Sequence, residues 1–130
     1  EELEGFVLPY DREIVSHVKD LWLNVIHLHG QNVYFSELSQ LSVPVINWHD
    51  QETAPDLAEG KLHFSGAVCG GLRQWETLVY GTPELVIKEA QSAISSTTGS
   101  RFILGTGCVL PITAPHANIA AARRAVESGD

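Results

Sequence analysis

Arg101-Phe102-Ile103-Leu104-Gly105-Thr106-Gly107-Cys108-Val109-Leu110-Pro111 reads as an apolar strand running straight into a glycine-flanked thiol. Far upstream, Val25-Ile26-His27-Leu28-His29-Gly30 is a second strand that ends in side chains able to bind metal. Strand side chains alternate between faces, so His27 and His29 are expected to project together, as are Thr106 and Cys108. Two strands delivering imidazole and thiol from their carboxyl ends describe the mouth of a site better than a packed core.

Outward from these two, the same pattern recurs. Strands are predicted at Asn24 to His29, Val43 to Trp48, Leu62 to Val68 and Arg101 to Cys108. Each is short, apolar and bounded by Gly, Asn, Asp or Pro, as for strands buried on both faces. Pro9 and Asp11 start an opening helix, with Ile14, Val15, Val18, Leu21 and Trp22 on one face. Phe35 to Leu41 and Thr53 to Glu59 read as short helices. Thr82-Pro83-Glu84 starts a longer one, with a hydroxyl cap and a proline in the first turn. It carries Leu85, Val86, Ala90, Ala93 and Ile94 inward and stops at Gly99. Pro115 begins the last, Ile119 to Val126, whose Arg123 and Arg124 suit its negative end and are not read as a site.

Strands alternating with helices imply a parallel sheet. Four such units make a small open α/β sheet or half of an eight-fold barrel. No glycine-rich phosphate loop follows the first strand, which weakens a nucleotide-binding sheet. Side chains capable of chemistry close every strand: His27 and His29, Asn47 and His49, Cys69, then Thr106 and Cys108. Barrels carry their sites at the carboxyl ends of the strands, so the half-barrel is favoured.

Composition narrows the partners. The 130 residues suffice for one domain, 1–130, with a single core. Eight basic against sixteen acidic side chains leave a net charge of −8, which argues against nucleic acid and anionic membrane. No apolar run approaches the roughly 20 residues of a spanning helix. With no export signal, Cys69 and Cys108 are expected to stay reduced, in the cytoplasm. The chain opens on Glu1 and contains no methionine, which suggests part of a longer polypeptide.

His27-Leu28-His29-Gly30, Asn47-Trp48, Gly81-Thr82-Pro83-Glu84, Gly105-Thr106-Gly107-Cys108 and Pro115-His116-Ala117-Asn118-Ile119 together resemble the uroporphyrinogen decarboxylase superfamily. That superfamily includes the cobalamin- and coenzyme M-linked methyltransferases. The resemblance covers nearly the whole chain and implies the carboxyl-terminal half of a TIM (β/α)8 barrel, four parallel βα units after an opening helix. It is closer to the methyltransferase branch, which has a His-x-Cys-Gly motif on the first of these strands and a Gly-Cys motif on the last. Those motifs bind a catalytic zinc. Here His29 stands where that branch has its first cysteine, and Cys108 falls at the second. True decarboxylases have a histidine near the position of Cys108 and lack the His-x-His. Their substrate-orienting arginine and aspartate belong to the amino-terminal half.

Zinc ligands are therefore expected at His27, His29 and Cys108, three protein donors with a fourth position open. A substrate thiol bound there would ionise at neutral pH, and methyl transfer to or from the sulfur would follow. The alternative is that the histidines hydrogen-bond in a polar mouth and Cys108 is a small buried residue. His49 is a candidate acid/base or extra ligand, set against a His49-Asp50 pair that only caps the loop or the next helix. Asn47, Trp48 and Tyr34 are candidates to hold substrate, the aromatics by stacking on a flat ring such as a tetrapyrrole. Cys69 reads as packed beside a glycine turn.

The function expected is methyltransferase-like chemistry at a zinc-activated thiolate, with a corrinoid as partner substrate. Alternatives are a porphyrinogen carboxy-lyase and a non-catalytic module that binds a corrinoid or porphyrin. A half-barrel leaves its first and last strands unpaired. Its partner is therefore either the missing amino-terminal half or a second copy. Alone, the four units should be catalytically silent.

Overall fold

Short β-branched runs separated by helices leave the backbone one economical solution, a parallel sheet covered by its own crossovers. The computed structural model describes residues 2–127 and shows that solution. Strands β1 (Val25–Leu28), β2 (Val45–Trp48), β3 (Ala67–Leu72) and β4 (Phe102–Thr106) are all parallel and lie in the order β1-β2-β3-β4. That order advances in one direction, without the reversal that opens the crevice of a doubly wound sheet. It is the order of a barrel segment, four βα units of a (β/α)8 barrel.

The helices are α1 (Leu8–Val18), α2 (Phe35–Leu38), α3 (Leu57–His63), α4 (Pro83–Ser96) and α5 (His116–Glu127). Among the described residues no helix is long and apolar enough to cross a membrane. Helix α4 begins as its sequence dictates: the Thr82 hydroxyl accepts from the Leu85 N–H and Pro83 occupies the first turn. Its last turn ends on Gly99, at φ +61°, whose N–H donates to the Ile94 carbonyl. Val86, Ala90 and Ala93 point inward as expected, whereas Leu85 is exposed.

The core lies between sheet and helices. Ile46, Trp48 and Val68 are fully buried there against Phe35, Leu57 and Phe64. A second cluster joins Leu72, Leu78, Val86, Ala90, Ala121 and Ala125 under α4 and α5. The opposite face of the sheet, which a closed barrel would turn inward, leaves Val25 and Ile103 exposed.

The third strand is not where its sequence suggested. Leu62 and His63 belong to α3, and the strand runs from Ala67 to Leu72. The helix starts late because Asp56 caps it, its Oδ1 accepting from the Glu59 N–H at 2.9 Å. It passes under Trp48 through Gly60, where a Cβ would sit 2.6 Å from the indole. The opening helix also departs from expectation: it ends at Val18, and Leu21 and Trp22 lie beyond it, Trp22 being 93% exposed. Residues 74–79 form a wide helical turn that was not foreseen.

Candidate metal centre

Pleating puts His27 and Asn47 side by side at one register, on the ends of β1 and β2. His29 and His49 each follow one residue past the end of a strand. The three imidazoles gather with ring centroids 5.2–6.1 Å apart. Cys108 arrives from β4, the far strand, because the chain turns sharply after Thr106. Gly107 makes that turn possible: a Cβ there would lie 2.6 Å from His49 Cα and 2.9 Å from Trp48 O. Only a residue without a side chain can lay its backbone on the end of β2. The turn is closed by the Thr106 hydroxyl, which donates to the Cys108 carbonyl. Cys108 Sγ then stands 4.0 Å from His29 Nδ1. Thr106 and Cys108 therefore do not share a strand face, as their spacing had suggested.

One donor atom from each of His27, His29, His49 and Cys108 lies within 4.8 Å of the others. In a tetrahedral zinc site, Zn–N of about 2.0–2.1 Å and Zn–S of about 2.3 Å separate the donors by roughly 3.3–3.6 Å. The observed cluster is that arrangement opened by about an ångström. Two further facts fit a metal. His49 Nε2 is buried without a hydrogen-bond partner, while its Nδ1 lies 3.4 Å from a Glu52 carboxylate oxygen. His27 Nδ1 contacts Asn47 Oδ1 at 2.7 Å. The acceptor on His27 Nδ1 leaves its Nε2 as the free lone pair, the arrangement common among metal-bound imidazoles.

The remaining candidates separate. Trp48 is corrected outright. It is 0% exposed, stacks edge-on against Phe35 on the helix side, and its Nε1 donates to the Pro55 carbonyl at 2.8 Å. It anchors α3 to the sheet and cannot reach a substrate in the mouth. Asn47 faces the mouth, but both its amide protons are used within the protein, on Cys69 O and Thr106 O. Tyr34 is exposed and borders a groove of about 550 Å³ between α1 and β1 that also touches His27 and His29.

Cys69 lies below the cluster and outside it. Burial, and then the charge of Asp50, push its thiol above the usual range, so it stays protonated. Asp50 turns away from His49 to accept from the Gly71 N–H at 3.1 and 3.2 Å and from Gln51 Nε2 at 2.7 Å. It pins the bend at the end of β3, where Gly71 adopts φ +103°. The reading of Asp50 as a cap thus describes Asp50, while His49 goes its own way. Sequence reasoning missed Glu52. Its one signal was an acid three residues after a histidine in a turn, where the Glu52 N–H donates to the His49 carbonyl.

Fold and site together define a segment of a parallel (β/α) barrel with metal-capable side chains at its mouth. The profile of the uroporphyrinogen decarboxylase (URO-D) family matches residues 1–129, and the chain belongs to that family. A solved methyltransferase from Methanosarcina mazei superposes with a TM-score of 0.83 at 19% identity, over 97% of this chain and 36% of that one. At that identity the likeness is one of fold, and the chain spans just over a third of that protein's length. No curated protein matches the sequence.

Proposed function

We propose that this chain carries the metal-binding part of a methyltransferase-type barrel enzyme of the URO-D family. The observation that carries the reading is the convergence of four donor atoms within 4.8 Å, one of them a buried nitrogen with no other partner. His27, His29 and Cys108 would hold zinc, which when bound keeps a substrate thiol ionised at neutral pH. The Nε2 of His49 accepts the proton of the incoming thiol, with the Glu52 carboxylate 3.4 Å from Nδ1 stabilising the imidazolium that forms. Without substrate, the same lone pair would let His49 serve as a fourth donor. The groove beside Tyr34 leads substrate to His27 and His29, and the methyl group comes from a corrinoid partner. Two free thiols support a reducing compartment, the cytoplasm.

Zinc analysis of protein purified without chelators tests this directly: about one equivalent is expected, and less than about one-tenth sinks it. Decarboxylation is the second reading, favoured by the description of the family whose profile matches. It needs no metal, so the same measurement divides the two. Retention of a porphyrin or corrinoid without turnover would instead identify a binding module.

The partner is proposed to be a complementary half-barrel that pairs with β1 and β4. Among the described residues each has a neighbour on one side only. A charge of −8 per chain makes a second copy the less favourable occupant. Monomeric sedimentation at micromolar concentration with cooperative unfolding would contradict any such need.

A further inference from the structure

Asn47 occupies the middle of the sheet's mouth, on β2, and is buried. Its Nδ2 donates to two main-chain carbonyls, Cys69 O on β3 at 2.8 Å and Thr106 O on β4 at 3.0 Å. Those acceptors fix which way the amide points, because a flipped amide would set its oxygen against two oxygens. Oδ1 must therefore be the atom that meets His27 Nδ1 at 2.7 Å. An amide oxygen only accepts, so the proton of neutral His27 has to sit on Nδ1. The lone pair is left on Nε2.

We propose that Asn47 is a positioning residue that sets the tautomer of His27 and aims its Nε2 lone pair at the cluster formed with His29, His49 and Cys108. Nδ1–H is the minority form of a free histidine side chain in water, so this state is imposed. The purpose of the inference rests on the metal reading; its geometry does not. The same amide links the two ends of the ligand arc. Thr106, whose carbonyl it holds, also donates its hydroxyl to the Cys108 carbonyl. One side chain on the second strand thus registers an imidazole from the first against a thiol turn from the fourth. No substrate contact is assigned to it.

Nitrogen-15 NMR of the full chain reads the tautomer without metal, at about pH 8.5, two units above the ordinary histidine value of roughly 6.5. Cobalt(II) titration of the same samples reads affinity. Wild-type His27 should show the Nδ1–H pattern. Asn47→Ala should revert His27 to mainly Nε2–H and lose cobalt affinity by about 10–100-fold. Asn47→Asp keeps an acceptor for His27 but loses both donors to the carbonyls. It should melt lower than wild type yet retain the Nδ1–H tautomer and most of the cobalt affinity.

A role confined to tying strands together predicts the opposite ranking, with tautomer and affinity unmoved by Asn47→Ala except in step with stability. That result would overturn the assignment. So would Nε2–H at His27 in the wild-type protein, a measurement that needs no variant to fold. If the tautomer changes as expected but no sample binds cobalt, the positioning role stands and the metal reading fails.

Discussion

Replacing Gly107 with alanine asks whether the path of the chain after β4 builds the cluster. The added Cβ would lie 2.6 Å from His49 Cα and 2.9 Å from Trp48 O. Both are main-chain atoms at the end of the most buried strand, so neither can rotate aside. Reaching ordinary contact at 3.4 Å requires the β4 turn and the β2 end to separate by about 0.8 Å. Metal–ligand distances tolerate only about 0.2 Å, and Cys108 is the next residue in the chain. The variant should fold with stability reduced by about 1–3 kcal/mol. Its cobalt(II) affinity should fall by about 10–100-fold. Titration of the full chain measures this, since sulfur-to-cobalt charge transfer reports Cys108 and the ligand-field bands report coordination number. Wild-type affinity with an undiminished charge-transfer band would refute the reasoning, because Cys108 would then reach the metal by another route.

Trp48→Phe leaves the Pro55 carbonyl without its donor and should cost about 1–3 kcal/mol. Metal content and affinity should stay at wild-type values; a loss of affinity at unchanged stability would return Trp48 to the site. Burial raises the Asp50 carboxyl above its ordinary 3.8, against the lowering bonds from Gln51 and Gly71. The folded state then binds more protons than the unfolded one between the two values. This group's contribution to stability therefore falls as pH rises from about 4 through the folded pKa. Asp50→Asn should accordingly gain on wild type in urea midpoint as pH rises above about 4. A gap independent of pH would show that Asp50 does not titrate in that window.

The fold was legible because each strand is short, apolar and closed by a polar residue, and because capping at Thr82 and Gly99 is local chemistry. The strand that slipped, β3, was misread where α3 carries Leu62 on its exposed side. An apolar residue on a short exposed helix mimics the start of a strand. His27, His29 and Cys108 were visible from spacing, and the structure gathers them. The group that orients His27 was not visible, because Asn47 acts through directions of hydrogen bonds that no spacing encodes. Trp48 was misassigned by parity: the strand alternates, so the residue beside Asn47 faces the helices. The apolar stripe over residues 14–22 was read as one helix face, whereas the backbone leaves the helix at Val18.

Of the four donors, the histidines stand early in the chain and the sulfur late, with 79 residues separating His29 from Cys108. An ion shared between them would act as a removable crosslink spanning every crossover of the sheet. Restricting the denatured chain over such a loop is worth about 4.5 kcal/mol in the chain-entropy treatment used for disulfides. Loading would then govern how long the polypeptide survives proteolysis, and metal supply would set its abundance.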